Sequence, residues 1–267
     1  MGLIIPASLR PSMTWETVDL THDEAVATLT VDRPEALNSL NVETLEAIEE
    51  ALEEAERESV RALVVTGAGE KAFVAGADIS YMAELGSQEA QEYAELGHRV
   101  MNAIEAFPAP AVAAINGYAF GGGLELAMAC DLRVAEEGAL VGQPEIDLGV
   151  VPGFGGTQRL PELVGDEYAR RLIYTGERID AETAHEHGLV GEVVEDAKSR
   201  ASELAGELAS QPAFALRAAK EAINRSAGGD REGGLAFERR AFAGLAGSHD
   251  QREGMAAFLE DREPEFE

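Results

Sequence analysis

Cysteine, tryptophan and lysine are nearly missing from this chain: 267 residues hold one cysteine, one tryptophan and three lysines. A lone thiol excludes a disulfide within the chain, and Cys130 lies inside the apolar run LELAMAC, where it acts as a small buried hydrophobe. No apolar run approaches the ~20 residues that span a bilayer. The start, MGLIIPASLRPSM, has no cationic leader, and Met1-Gly2 lacks the Ser or Thr of a myristoylation signal. A cytoplasmic protein with a loose extension over residues 1–13 is therefore expected. Metalloprotease HExxH, cysteine clusters, GxSxG and a Walker loop are absent as well. His185 and His187 stand two apart on an expected helix and so face different ways, which leaves no metal site and no serine nucleophile to expect.

Positive charge is scarce. Fifty acidic against 21 basic residues give a formal net charge of −29, and Lys71, Lys198 and Lys220 are the only lysines. Such a surface repels nucleic acid and anionic membranes. Self-repulsion on this scale destabilises the compact state, and molar salt, with a Debye length of about 3 Å, screens it. A salt-adapted host is preferred to an ordinary acidic bacterial protein for that reason. The remaining composition, 45% apolar and 6% aromatic, fits a compact globular enzyme built on Ala, Val and Leu.

Along the chain, Thr14 to Asp32 alternates apolar and polar residues and stops at Arg33-Pro34, which reads as an edge or early strand. From Asn41 to Glu58, Val42, Leu45, Ile48, Leu52 and Ala55 share one helical face, with Asn41 as N-cap. RALVVT (Arg61 to Thr66) and AVAAIN (Ala111 to Asn116) are short buried-strand patterns, and Gln88 to Phe107 between them is a helix stopped by Pro108 and Pro110. Strands alternating with helices give an α/β class. LRVA extends a sheet, Asp180 to Gly188 reads as a capped helix followed by an extended piece over Leu189 to Val194, and the rest is helical. Gly228, Gly229, Gly233 and Gly234 mark a loop near Arg231.

Two acids stand out. Glu125 falls in the first turn of a buried helix that opens after Gly121, Gly122 and Gly123; Glu145 follows twenty positions on, in a loop held by Gly142 and Pro144. Taken singly, Glu125 is a dipole-satisfying acid and Glu145 a loop cap. Together they form a candidate acid/base pair that only the fold can bring together. Gly153-Phe-Gly155-Gly156 has neither the preceding strand nor the later ribose-binding acid of a dinucleotide site, so NAD binding is not expected.

RPEALNSL, KAFVAGADISYM, NGYAFGGGLELAMACDLRVA, GQPEIDLGVVPGFGGTQRL, TGERIDAETAHEHGLV and REGMAAF follow one another in the order and approximate spacing of the crotonase superfamily. The chain resembles its short-chain enoyl-CoA hydratases most. That resemblance implies a crotonase spiral of repeated ββα units over residues 14–200 and a C-terminal helical trimerisation region over 201–267, in a homotrimer or dimer of trimers. It implies an acyl-CoA thioester substrate and no cofactor beyond the substrate's own CoA. By the same resemblance, the amides of Ala77 and Gly122 form an oxyanion hole, Glu125 activates water for attack at the β-carbon, and Glu145 protonates the α-carbon. Ala36, Leu37, Ala75, Asp78, Ile79, Ser80 and Gly153 lie along CoA and substrate, with Met82 and Phe154 at the acyl pocket.

The chain departs from the family where lysines meet the CoA phosphates: Ser80 and Asp261 stand there instead. Arg262, Arg252 and Lys220 are the substitutes considered, and Phe242 and Phe258 match aromatics near a neighbouring subunit's CoA. Both glutamates present narrow the reaction to hydration, with isomerisation or short-chain hydroxyacyl-CoA dehydration as rivals inside the superfamily. A noncatalytic RNA-binding or scaffold role is the rival of another class, and net charge −29 counts against it.

Overall fold

A computed structural model describes residues 13–225 and 231–267. The alternating stretch at the start forms β1 (Met13–Thr14), β2 (Val18–Asp23) and β3 (Val26–Val31), because the chain reverses at Glu24, which takes φ 52°. VATLTVD is thus not an edge: β3 lies between β2 and the next strand, and β1 takes the rim. A 3-10 turn, Pro34–Ala36, leads to α1 (Val42–Arg57), where the Asn41 side chain accepts from the Thr44 amide. Then follow β4 (Ala62–Gly67), β5 (Ala72–Val74), α2 (Ile79–Met82), α3 (Ser87–Ala106), β6 (Ala111–Ile115), β7 (Tyr118–Phe120), α4 (Gly122–Ala129), β8 (Leu132–Glu136) and β9 (Leu140–Gly142). A second 3-10 turn, Pro144–Leu148, precedes α5 (Gly156–Val164), α6 (Asp166–Thr175), β10 (Arg178–Asp180), α7 (Ala181–Glu186) and β11 (Glu192–Val194). Four helices close the chain: α8 (Ala197–Ala209), α9 (Ala213–Asn224), α10 (Arg231–Leu245) and α11 (His249–Glu260).

The strands make two sheets, β1-β2-β3-β4-β6-β8-β11 and β10-β9-β7-β5. From β3 onward the first is parallel, and β5, β7 and β9 run parallel in the second. Each turn of the chain lays one strand in the first sheet, one in the second and then a helix: β4-β5-α3, β6-β7-α4, β8-β9-α5. This is the ββα spiral that the resemblance implied.

The parallel strands are buried on both faces, which is why ALVVTG and AVAAI read as continuous apolar runs. Leu63, Val65, Ala113 and Ile115 point into the main core with α1 and α3. Their alternates Ala62, Val64, Val112 and Ala114 meet Ala201 and Ala205 of α8 on the other face. The division expected at residue 200 falls inside α8, whose packing on the sheet continues past it.

Gly233 and Gly234 lie within α10, not in a loop. Interior glycine costs a helix about 1 kcal/mol relative to alanine, which weakens but does not forbid it. Gly228 and Gly229 lie outside the described residues, as does nearly all of the expected N-terminal extension. Phe214, Phe242 and Phe258 on the last helices are 72–85% exposed.

Candidate active site

Helix α4 starts on top of β5. A Cβ at Gly123 would collide with the Val74 carbonyl oxygen, so glycine is what lets the helix end approach that strand. Gly121 caps it at φ 50°, in the region that favours glycine, and a Cβ there would stand 2.5 Å from Glu145 Oε1. Glu145, on the second 3-10 turn, therefore lies directly over the start of α4. Glu125, one turn into the same helix, is 1% exposed. The two acids that lie twenty positions apart in sequence meet here.

Glu125 is held through one oxygen. Its Oε1 accepts from the Phe154 amide at 2.8 Å and the Gly156 amide at 2.6 Å, both offered by a loop that turns through Gly155 at φ 110°. Burial pushes the Glu125 carboxyl up to about 7, against the pull of those two amides and of the Arg159 charge. Glu145 is pushed up to about 7 as well, by burial first and then by the negative charge of Glu125. The fully buried Gln143, with its amide oriented to satisfy the network, donates to both Glu145 oxygens at 2.9 and 3.0 Å. A pair in which each member titrates near neutrality can hold one proton between them, which suits it to give a proton at one carbon and take one from water.

Two amides near Leu40 have no partner among the described residues. Leu40 N donates to the Gly76 oxygen and Asp78 N donates to the Leu40 oxygen, both at 2.8 Å, so the Ala77 amide between them points the other way. Gly122 is the first residue of α4, where an amide has no partner within the helix. Neither N–H donates a hydrogen bond among the described residues. Leu40 joins the two: it bridges to Ala77 and its Cδ1 would lie 3.5 Å from a Cβ at Gly122. A free amide at the N-terminus of α4, with a second free amide in the neighbouring loop, suits a developing oxyanion.

The segments expected along CoA run side by side. The Ala75 amide donates to the Leu37 oxygen at 3.0 Å, and Ala36 and Leu37 end the first 3-10 turn. Asp78 caps α2 through the Ser80 and Tyr81 amides and pairs with Arg33 at 3.2 Å, while Ile79 and Ser80 face out. A Cβ at Gly153 would meet nothing within 4 Å, so it borders open space. Met82 is half-buried on the core, and Phe154 is wedged so closely that a Cβ at Gly97 would collide with a ring carbon.

Lys220 does not serve as a phosphate partner. It is buried, with Nζ donating to the Ile104 and Ala109 oxygens and to Asp131 at 2.8 Å, because a buried ammonium must be paired. Arg262 is engaged by Glu253 and Glu260, whereas Arg252 is exposed. His185 meets the Val190 oxygen and His187 stacks on Tyr168. Among the described residues no group of three His, Cys, Asp or Glu side chains could hold a metal ion, and no helix is long and apolar enough to cross a membrane. Sequence reasoning missed the roles of Gln143, the Phe154 and Gly156 amides and Arg159. GQPE and GFGGTQR were in view, but nothing local says what a buried amide or a loop N–H faces.

Residues 21–267 match the family model described as Enoyl-CoA hydratase/isomerase. The chain is 44% identical over 257 residues to a crotonyl-CoA hydratase of Syntrophomonas wolfei, covering 95% of this chain and 99% of that protein. It is 44% identical over 256 residues to a short-chain-enoyl-CoA hydratase of Clostridium acetobutylicum, with 95% and 98% covered. The solved structure of an enoyl-CoA hydratase from Bacillus anthracis superposes with a TM-score of 0.90 at 40% identity, over 94% of this chain and 99% of that one.

Proposed function

This chain belongs to the enoyl-CoA hydratase/isomerase family, and from that premise we propose that it adds water reversibly to a short trans-2-enoyl-CoA to give the 3-hydroxyacyl-CoA. The observation that carries the reading is the convergence of Glu125 and Glu145 on the amide end of α4, where burial pushes both carboxyls above the ordinary range. Glu125 takes a proton from water as its oxygen bonds to the β-carbon. The double-bond electrons move to the thioester oxygen, which receives the Ala77 and Gly122 amides. Glu145 then delivers its proton to the α-carbon, so one proton enters the pair and one leaves it. Dehydration runs the same steps backward.

No cofactor beyond the substrate's CoA enters this scheme. Ala36, Leu37, Ala75, Asp78, Ile79, Ser80 and Gly153 line the thioester's path, with Phe154 and Met82 at the acyl end. The exposed Phe242, Phe258, Met255 and Leu259 on α10 and α11 support a homotrimer or a dimer of trimers. Net charge −29 supports a cytoplasm rich in salt.

The test is loss of enoyl-thioester absorbance with crotonyl-CoA, for the native chain and for Glu125→Gln and Glu145→Gln, in dilute buffer and in molar KCl. Loss confined to the native chain supports the reading, and no loss from folded protein in either buffer overturns it. Product analysis separates hydration from double-bond migration.

A further inference from the structure

Arg159, on α5, stands behind the loop that holds Glu125. Its side chain is 14% exposed. Nε and Nη2 donate to Glu105 Oε2 at 3.0 and 2.7 Å, Nη2 also to Asn102 Oδ1 at 2.8 Å, and Nη1 to the Phe154 carbonyl oxygen at 3.1 Å. Glu105 and Asn102 both belong to α3, so one planar guanidinium ties a long helix to a single loop carbonyl. The fit is close: a Cβ at Gly155 would collide with Nη1, and φ there is 110°. On its opposite side the same loop presents the Phe154 and Gly156 amides to Glu125 Oε1.

We infer that Arg159 is a positioning residue for Glu125: by fixing the Phe154 carbonyl to α3 it keeps two loop amides on one carboxylate oxygen and leaves the other oxygen for the reacting water. Its charge acts in the same direction, since it is the cation that favours ionised Glu125. The titratable groups around Glu125 are few. Glu145 comes from the 3-10 turn, Arg159 from α5, and Glu105, His98 and Tyr93 from α3, with His98 close enough to stand 3.8 Å from a Cβ at Gly155 and the Tyr93 ring edge-on to Phe154. β5 offers only Ala72, Phe73 and Val74, and Tyr118 of β7 is stacked on Phe120. The base role belongs to the hydratase reading, but the hold on Glu125 is measurable without turnover.

Difference infrared titration of the Glu125 carboxylic-acid C=O band provides that measurement. Glu145→Gln lets Glu125 titrate alone, Glu125→Gln assigns the band, and the comparison is Glu145→Gln with and without Arg159→Met. The midpoint should rise by at least about one pH unit, a tenfold change in ionisation at neutral pH. On the otherwise native chain, Arg159→Met should lower kcat for crotonyl-CoA by about tenfold or more with little change in KM, and Arg159→Lys should recover part of it. An unmoved midpoint in folded protein overturns the inference. Should Arg159→Met not fold, Glu105→Asp keeps the charge but shortens the anchor, and must move the midpoint the same way; no movement overturns the inference there too. A moved midpoint in a protein that hydrates no enoyl-CoA overturns the hydratase reading and leaves this inference standing.

Discussion

Replacing Glu125 by glutamine should abolish activity and stabilise the protein, and the stabilisation should depend on pH. A carboxyl whose midpoint rises from 4.5 to about 7 on folding binds its proton more tightly in the native state than in the unfolded one. Its contribution therefore favours folding at low pH and is lost as pH rises from the unfolded value through the folded one. Keeping Glu125 buried then costs about 3 kcal/mol near pH 8, where it is ionised, but only about 1 kcal/mol near pH 5, where the native state holds its proton. Glutamine removes the charge while its oxygen can still accept from the Phe154 and Gly156 amides. For a chain of this size, roughly 2–4 °C accompany each kcal/mol, so Glu125→Gln should melt about 5–10 °C above the native chain near pH 8 and only a few degrees above it near pH 5. Scanning calorimetry at both pH values, at one protein concentration and one salt concentration, reads this directly. An increment equal at the two pH values, or a loss of stability near pH 8, would refute the claim that burial of the ionised acid sets its titration.

The kcat/KM of the native chain should trace a bell centred near neutrality, because one member of the Glu125–Glu145 pair must be ionised and the other protonated; a flat profile over about pH 5 to 9 would refute the shared-proton reading. Gly121→Ala forces a side chain into φ 50° and onto Glu145, and should cost about a hundredfold in kcat/KM or prevent folding, read by turnover and circular dichroism. Raising KCl from about 0.1 M to 2 M should lift the melting temperature by at least about 5 °C if self-repulsion of the −29 surface limits stability. Phe258, 85% exposed, should matter to assembly, so Phe258→Arg should shift light-scattering mass toward the single chain.

Local order was legible in the sequence wherever one element's own residues dictate it. The Asn41 cap, the apolar face of α1, the buried runs of β4 and β6 and the Asp180-capped α7 all follow from side-chain period and end chemistry. Hidden boundaries came from backbone states that composition does not announce. Glu24 at φ 52° splits one alternating stretch into a hairpin, and Gly233 and Gly234 sit inside a helix that tolerates them. Lys220 looks like a free cation in the sequence because its three partners come from distant segments, 89 to 116 positions away.

What the sequence determined by itself was an α/β chain with a strongly acidic surface, a glycine-opened buried helix carrying Glu125, and a second acid twenty positions on. Its six ordered motifs already carried the family resemblance. It takes the folded chain to lay Glu145 over Gly121, to bring two amides from a loop about thirty residues downstream onto Glu125, and to tie this loop to α3 through Arg159. The physical reason is that a carboxyl's proton affinity depends on the water it has lost and the charges and amides around it. Those neighbours are assembled from α3, α4, the 3-10 turn and α5, and no local stretch of sequence contains them all.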